Sequence, residues 1–459
     1  MKTPTLIAFL LTASTCLAQP HISGEVTIDQ TNGLFQCRFT LTNTGDLPDS
    51  RILLNKGMVI KYFKDSSGNL IDYNGHYAGK MEGEALSYAL VNGAYDTIPV
   101  PDTLFLEYTG AFPVYAEEDW KAFDYKGIIA INHETVRASE QTKWYPVLYD
   151  ATGDRMINSY TYDVTITLKG GETIFLNGSA PQKGPTARFR SQRAYPLLLF
   201  AGNYPYVENG GDYILNVDLK PETAGKIFAN IELIKGVLAT NLELSFTDHI
   251  YLISHKPLNQ RREGSSWGFN TFPSFAFTGL DFETLVDEEG KFSNNMYRYF
   301  GHEFGHNYFG NNVLSGKWSW FWLESFAEYL SYNVVEDLIG PEYLAEVLVD
   351  RANQIEERTF SPLPAIQQRE EIDPAYRYTM APLMLKCYED TFGRKAVNNT
   401  IKNLLVMAES ATLTLDHWKR AATQSGITAK AFDEFAGRFI EPADFNRAVI
   451  EQIKATYGK

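Results

Sequence analysis

The chain has little cysteine, few basic residues and no long apolar run beyond its amino terminus. Three cysteines in 459 residues exclude a dense disulfide framework, and Cys37 and Cys387 are expected to be buried as small apolar residues. Lysine and arginine total 41 against 56 acidic residues, a net charge of −15, so we expect neither nucleic acid nor an anionic membrane as a partner. Beyond the amino terminus the chain contains no run of about eighteen apolar residues, so we expect no transmembrane segment.

Residues 1–18 have the composition of an export signal. Lys2 provides a positive start, residues 6–11 an apolar stretch, and Cys16-Leu17-Ala18 a small-residue cleavage site before Gln19. The sequence therefore predicts a signal peptide and an exported protein, periplasmic or extracellular. Lipid attachment to Cys16 is disfavoured, because Ala13-Ser14-Thr15 lacks the large aliphatic residue typical of lipoprotein signals.

The remaining sequence divides into a strand-like part and a mainly helical part. Short alternating runs between Gly, Asn and Asp turns predict strands at 24–28, 35–41, 160–168 and 195–200. Apolar periodicity then predicts a helix at 224–238, a strand at 251–253, and helices beyond residue 290 that include 396–407 and 431–439. We therefore predict a multidomain protein, with an all-β domain over residues 19–206 and an α+β, mainly helical domain over residues 207–459.

The clearest chemical signal is His302-Glu303-Phe304-Gly305-His306. One helical turn separates the two histidines, so both imidazoles lie on one helix face and can bind a single zinc ion beside Glu303. With only 8 histidines in the chain, chance is a poor explanation, and burying two imidazoles without a ligand would be costly. The motif predicts one zinc ion per chain in a peptidase.

The sequence predicts where the helix that carries this motif begins and ends. Ser293 or Asn294 can cap its start, and Gly310-Asn311-Asn312 is predicted to end it. Gly301 and Gly305 each cost roughly 1 kcal/mol of helix propensity against Ala, so we expect a neighbouring element to pack closely against them.

A hydrolytic zinc site needs a third protein ligand and an open position for water. Glu324 begins a second amphipathic run, from which its carboxylate can point back at the first helix, and we predict it as the third ligand. Glu328 follows one turn later and could accept a hydrogen bond from a ligating imidazole. A solvated surface side chain is the alternative for Glu328.

These residues resemble a known family. Residues 302–313 resemble the HExxHxWFGNxV segment of aminopeptidase N-like zinc metallopeptidases, the gluzincins, and residues 322–327 resemble their WLNEGFA. The family has one residue more between the second His and the Glu than the seventeen at positions 307–323; we attribute the difference to the loop and keep Glu324 over Ser325 as ligand. The resemblance implies a saddle-like β domain followed by a thermolysin-like catalytic domain.

The resemblance also implies a tyrosine that binds the oxyanion, within a YxKG motif. Tyr378-Thr379-Met380-Ala381 matches its tyrosine alone, and we predict Tyr378 in this role. Tyr376 is the alternative, and either could be a buried ring with a satisfied hydroxyl.

A further family motif, GxMEN, carries a Glu that pairs with the free α-amino group of the substrate. The corresponding residues 267–271 lack it, although Gly268, Phe269 and Asn270 are still predicted to bind the peptide backbone as an edge strand. Glu263 or Glu140 could supply a carboxylate from elsewhere, and each is more simply an ordinary surface acid.

The sequence therefore predicts an exported zinc peptidase that removes amino-terminal residues, with Glu303 as general base and Tyr378 and zinc at the oxyanion. One alternative is the same chemistry without a free-amine requirement, cutting internally or accepting blocked peptides. A lower alternative is a non-catalytic zinc-containing binding protein, disfavoured because structural zinc sites usually have four protein ligands and no fourth is evident.

Overall fold

The computed structural model describes residues 19–45, 47–77, 84–116, 124–255, 258 and 267–458. The predicted signal peptide with Cys16, and Glu263, lie outside the described residues. Within these ranges, no helix is both long enough and apolar enough to cross a membrane.

Strands and helices follow the predicted order. The strands are β1 (His21–Asp29), β2 (Leu34–Thr42), β3 (Ser50–Asn55), β4 (Met58–Lys64), β5 (Leu70–Tyr77), β6 (Ala85–Val91), β7 (Thr97–Ile98), β8 (Thr103–Ala111), β9 (Val114–Tyr115), β10 (Ala130–Asn132), β11 (Thr135–Ala138), β12 (Val147–Asp150), β13 (Arg155–Ile157), β14 (Ser159–Lys169), β15 (Thr173–Leu176), β16 (Gln182–Lys183), β17 (Thr186–Pro196), β18 (Leu199–Gly202), β19 (Tyr206–Asn209), β20 (Asp212–Leu215), β21 (Tyr251–His255), β22 (Trp267–Thr271) and β23 (Ser274–Thr278). The α-helices are α1 (Pro221–Leu242), α2 (Asn294–Gly305), α3 (Phe326–Leu338), α4 (Pro341–Gln354), α5 (Ala381–Phe392), α6 (Arg394–Ala408), α7 (Leu415–Gln424), α8 (Ala429–Phe439) and α9 (Phe445–Tyr457).

The amino-terminal part is built from two β-sheets. Among the described residues, the larger sheet has twelve strands, in the order β13-β12-β3-β6-β5-β4-β8-β2-β1-β14-β17 with β7 beside β6, and the smaller has the order β16-β15-β18-β11-β10-β9. Long strands such as β14 bury every second residue, because successive side chains of a strand point to opposite faces. The predicted all-β fold is therefore confirmed.

The single strand predicted over 195–200 is the end of one strand and the start of another. β17 ends at Pro196 and β18 begins at Leu199, because Pro196 has no N–H to continue a ladder. At this corner the Leu197 N–H donates to the Tyr145 hydroxyl at 3.2 Å, and the Trp144 indole N–H donates to the Leu197 carbonyl at 2.9 Å. Side chains thus provide the hydrogen-bond partners of Leu197, between the two strands.

The carboxy-terminal part places a five-stranded sheet beside a group of helices. Its strand order is β19-β20-β21-β23-β22, so β22 lies at the edge, as predicted for the strand that binds the peptide backbone. A small apolar cluster, to which Phe175 and Phe200 of the β-sheets and Tyr251 and Phe269 of this sheet contribute, joins the two parts. β19 begins at Tyr206, where the sequence predicts the boundary between the two domains. The division into domains of residues 19–206 and 207–459 stays a prediction.

Helix α2 is held tightly against α3. The Ser293 side chain accepts from the Met296 N–H and caps the start of α2, as predicted. A Cβ on Gly305 would lie 2.8 Å from the Ala327 Cα, and one on Gly301 would lie 3.2 Å from the Ser331 Cα, so α3 is the close neighbour expected from the two glycines.

The predicted end of α2 at Gly310 is wrong. The helix ends at Gly305, and the backbone continues in tighter turns, with the His306 N–H bonded to the Glu303 carbonyl. Cys37 and Cys387, by contrast, are both buried and free, in agreement with the sequence.

Candidate active site

The side chains of His302, His306 and Glu324 converge on one point. Their ligand atoms all lie within 4.8 Å of one another, the imidazole Nε2 atoms 3.2 Å apart and each 3.4 Å from the Glu324 Oε2. Tetrahedral bonds of roughly 2.0–2.1 Å to zinc would place such atoms roughly 3.3 Å apart. Two nitrogens and a carboxylate oxygen at this spacing fit a zinc ion with one position left open.

Glu324 lies in a π-helical turn, Phe321–Ser325, immediately before α3. Residues 322–327 are one residue shorter than the WLNEGFA motif, so the shortening lies within this motif at the wide turn; its attribution to the preceding loop was wrong. The extra backbone width of a π turn changes which side chain faces α2. Glu324 reaches the two imidazoles, while Ser325, the residue that strict spacing would select, is fully buried.

Each imidazole has an oxygen close to its Nδ1. The His306 Nδ1 lies 3.1 Å from the Phe309 carbonyl, which can only accept, and the His302 Nδ1 lies 3.0 Å from the Glu328 Oε2. With the proton on Nδ1, each Nε2 presents a lone pair to the centre of the cluster. Glu328 is 6% exposed, which contradicts the surface alternative.

Two buried carboxylates, Glu324 and Glu328, lie beside the imidazoles of the cluster. Burial by itself lowers the pKa of His302, but hydrogen bonds to Glu324 and Glu328 outweigh it and raise that pKa to about 10. Burial raises the pKa of Glu324, yet hydrogen bonds to His302 and His306 hold it well below its usual range. Such a site favours a bound cation, because only a positive charge offsets buried carboxylates.

Glu303 stands beside the cluster and lines the same cleft. It is 6% exposed, and burial raises its pKa against the opposing effects of His302, His306 and Lys126. A buried carboxylate of raised pKa next to a metal-ligand cluster has the properties of a proton acceptor.

The structure separates the two candidate tyrosines. Tyr378 lines the cleft, with its ring centre 5.7 Å from that of His302, whereas Tyr376 is buried against Phe360 and Phe445. Burial, and then the Glu324 carboxylate, raise the pKa of Tyr378, so its hydroxyl keeps a proton to donate. Both tyrosines lie on a second π-helical turn, Tyr376–Met380.

Arg351 of α4 is a site residue that no sequence motif singles out. Its Nη2 donates to the Glu328 Oε1 at 3.0 Å, and its Nη1 donates to the Tyr378 carbonyl at 3.2 Å. One guanidinium thus connects the carboxylate that orients His302 with the backbone that carries Tyr378. An arginine on an amphipathic helix reads as a surface residue, so no local signal distinguishes it.

Strand β22 forms one wall of the cleft through Gly268, Phe269 and Asn270. The Asn270 Nδ2 donates to the Glu303 carbonyl at 3.2 Å and to the Asn307 Oδ1 at 3.0 Å, which fixes the strand on α2. A Cβ on Gly268 would lie 2.5 Å from the Tyr299 hydroxyl, so a larger residue would displace the strand or that ring. The Phe269 side chain packs into the apolar cluster between the two parts.

Glu140 is not a surface acid, contrary to the sequence interpretation. It is 1% exposed, its Oε2 accepts from the Thr271 hydroxyl at 2.8 Å, and its Oε1 lies 2.5 Å from the Lys126 Nζ. Lys126 and Gln141 line the cleft from the amino-terminal part, although neither was singled out from the sequence.

The chain is similar to known zinc metallopeptidases in one sequence segment and in fold. Residues 283–436 match the peptidase family M1 domain, and no curated protein sequence matches the chain. A mutant M1 zinc metallopeptidase from Deinococcus radiodurans, solved with a Tyr-Ser-Ala substrate, shares 15% identity and a TM-score of 0.62, over 93% of this chain and 96% of that one. Native LTA4 hydrolase from yeast shares 11% identity and a TM-score of 0.59, over 90% of this chain and 66% of that one.

At these identities the solved structures establish a shared fold, and the domain match covers the segment that holds the HExxH motif, Glu324 and Tyr378. The matches span 93% and 90% of this chain and therefore include both its β part and its helical part. The protein is therefore a peptidase with a match to the family M1 domain over residues 283–436, and its β part and helical part share the fold of these M1 zinc metallopeptidases.

Proposed function

We propose that this protein is an exported, zinc-dependent metallopeptidase with one zinc ion per chain, held by His302, His306 and Glu324. The observation that carries the proposal is the spacing of the three ligand atoms, each pair 3.2–3.4 Å apart, beside the buried carboxylate of Glu303. Export rests on the signal-like composition of residues 1–18. A non-catalytic zinc site is disfavoured, because these three ligands leave a position open.

Each of the side chains in the cleft has a separate role in the proposed hydrolysis. A zinc ion bound there would lower the pKa of water to about 7 and polarise the scissile carbonyl. Glu303 accepts the proton of the attacking water and returns it to the leaving amine. The Tyr378 hydroxyl donates to the oxyanion, and the outer edge of β22 aligns the peptide backbone beside these groups.

Two substrate classes share this chemistry. Removal of amino-terminal residues, the leading sequence prediction, needs a carboxylate for the free α-amino group, and Glu140 is the buried acid next to β22. Its oxygens already contact Thr271 and Lys126. This pairing favours the second class, peptides that present no free amine at that end of the cleft.

The test is hydrolysis of a peptide pool by the mature chain, residues 19–459, followed by mass spectrometry. We expect a chelator to reduce cleavage at least about 10²-fold and added zinc to restore it, since the metal supplies several kcal/mol of charge stabilisation. Cleavage that survives complete removal of metal, checked by elemental analysis, would contradict the proposal.

Tyr378→Phe should lower kcat by about 10²- to 10³-fold, because it removes one donor to the oxyanion. The matched control is Tyr376→Phe, which removes a hydroxyl that is buried away among Phe360 and Phe445 and should leave kcat within about twofold. Steady-state rates of both variants decide the assignment. Equal losses in the two variants, or a loss confined to Tyr376→Phe, would show that the wrong tyrosine was chosen.

A further inference from the structure

The cleft contains a cation of its own at one end of the peptide-binding edge. Lys126 lines the part of the cleft that is bordered by Asn270 and Glu303. Its Nζ donates to the Asn270 carbonyl at 2.6 Å and lies 2.5 Å from the Glu140 Oε1. It also lies 5.5 Å from the centre of the Phe269 ring, within the range of a cation–π contact.

The hydrogen bond to Asn270 locates this ammonium on the outer side of β22. The strand pairs with β23 along its other side, and β22 is the last strand of its sheet. A carbonyl that accepts from Lys126 therefore belongs to the free edge, where an added peptide strand would hydrogen-bond. The Lys126 ammonium closes that edge at Asn270.

The direction of an added peptide decides which part of it meets Lys126. A strand that adds antiparallel to β22 starts beside Thr271 and runs toward Trp267. Its amino-terminal side then lies beside Asn270, and its carboxyl side extends toward the part of the cleft lined by Trp267, Arg298 and Tyr299. In that direction of addition, Lys126 faces the residues that precede the scissile bond.

Resting on the proposed peptidase function, we infer that Lys126 is a specificity-determining residue that selects against a free α-ammonium on the amino-terminal side of the scissile bond. The Glu140 oxygens that would accept an α-ammonium already contact Lys126 and Thr271. A second ammonium would meet a like charge in a buried setting, where charge repulsion is strong. A neutral amide, from an acylated terminus or a continuing chain, meets no such repulsion and can accept the third N–H of Lys126.

The contact between Lys126 and Glu140 also has a purely structural reading. It joins the amino-terminal part to β22, because the Glu140 Oε2 accepts from the Thr271 hydroxyl. A structural contact would change the rates for all peptides alike when it is broken. A specificity contact changes the ratio between blocked and free peptides, so this ratio is the quantity to measure.

The experiment compares matched peptides with free or acetylated amino termini, using the zinc-loaded mature chain and the ratio of their kcat/KM values. We expect the native protein to favour the acetylated peptide by about tenfold or more. Lys126→Met should raise the relative rate of the free peptide about tenfold, because it releases Glu140, and Lys126→Met with Glu140→Gln should remove this gain. Lys126→Arg keeps the cation and the preference, and Lys61→Met, at a pair on the exposed β-sheet surface, should change nothing.

A native preference for the free peptide, or equal losses for both peptides in Lys126→Met, would overturn the inference. Calorimetric binding of the two peptides to zinc-loaded Glu303→Gln keeps the test independent of turnover and of the folding of any Lys126 variant. If the native protein hydrolyses neither peptide while Glu303→Gln binds the acetylated peptide more tightly, the proposed peptidase is refuted and the role of Lys126 is supported. If the native protein hydrolyses both peptides while Glu303→Gln binds the free peptide more tightly, the proposed peptidase is supported and the role of Lys126 is refuted.

Discussion

Glu303→Gln is expected to lower kcat by about 10²- to 10⁴-fold while the protein keeps its zinc. Gln has the size of Glu but cannot accept a proton from water, so the chemical step alone is affected. The contact that holds β22 on α2 should survive, because Asn270 donates to the backbone carbonyl of residue 303. Steady-state kinetics with elemental analysis of the purified variant measure both quantities.

The control for this variant is Glu222→Gln, which alters a carboxylate on α1 whose side chain is 81% exposed, and should leave rate and zinc content unchanged. Retention of native turnover by Glu303→Gln would remove Glu303 from the role of general base. Loss of zinc together with activity would instead indicate that Glu303 is itself a ligand. Both results are distinguishable from unfolding by the melting temperature.

His306→Ala is expected to abolish both zinc binding and hydrolysis. The variant retains two of three ligands, and we expect zinc affinity to fall by more than about 100-fold, since loss of an outer partner of a ligand already costs roughly 10–100-fold. Zinc should raise the melting temperature of the native protein, because an ion that binds the folded state stabilises it. The variant should show no such rise.

The matched control is His133→Ala, at an exposed position, which should retain zinc and activity. Comparison with the chelated native protein separates loss of metal from loss of fold: the variant should melt at the temperature of that metal-free form. Full zinc occupancy in His306→Ala would show that the three residues with spacing of 3.2–3.4 Å are not the ligand set.

Predictions from the sequence were confirmed where the feature depends on a single segment of the chain. The HExxH spacing placed two imidazoles on one helix face, Ser293 capped that helix, and Gly301 and Gly305 indicated a close neighbour. Local rules failed at the strand predicted over 195–200, because a proline and side-chain hydrogen bonds from Trp144 and Tyr145 interrupt it.

Residues that meet across long stretches of chain were beyond these rules. Lys126 donates to Asn270 over a separation of 144 residues, and Glu140 meets Thr271 over 131. Lys126 and Glu140 are residue types that usually lie at the surface. Their positions beside β22 depend on how the β-sheets pack against the edge of the five-stranded sheet. Arg351 likewise reaches the Tyr378 carbonyl only because α4 packs beside the turn that carries Tyr378.

The sequence by itself determined the identity of the reactive groups, because zinc ligation and proton transfer demand particular side chains at a spacing that one helix can supply. Tertiary structure alone decided what surrounds them. It placed Tyr378 in the cleft and Tyr376 among buried phenylalanines, brought Glu324 to the histidines from a π-helical turn, and set a lysine ammonium at the outer edge of β22. Burial and distance are properties of packed elements, and no single segment of the chain contains them.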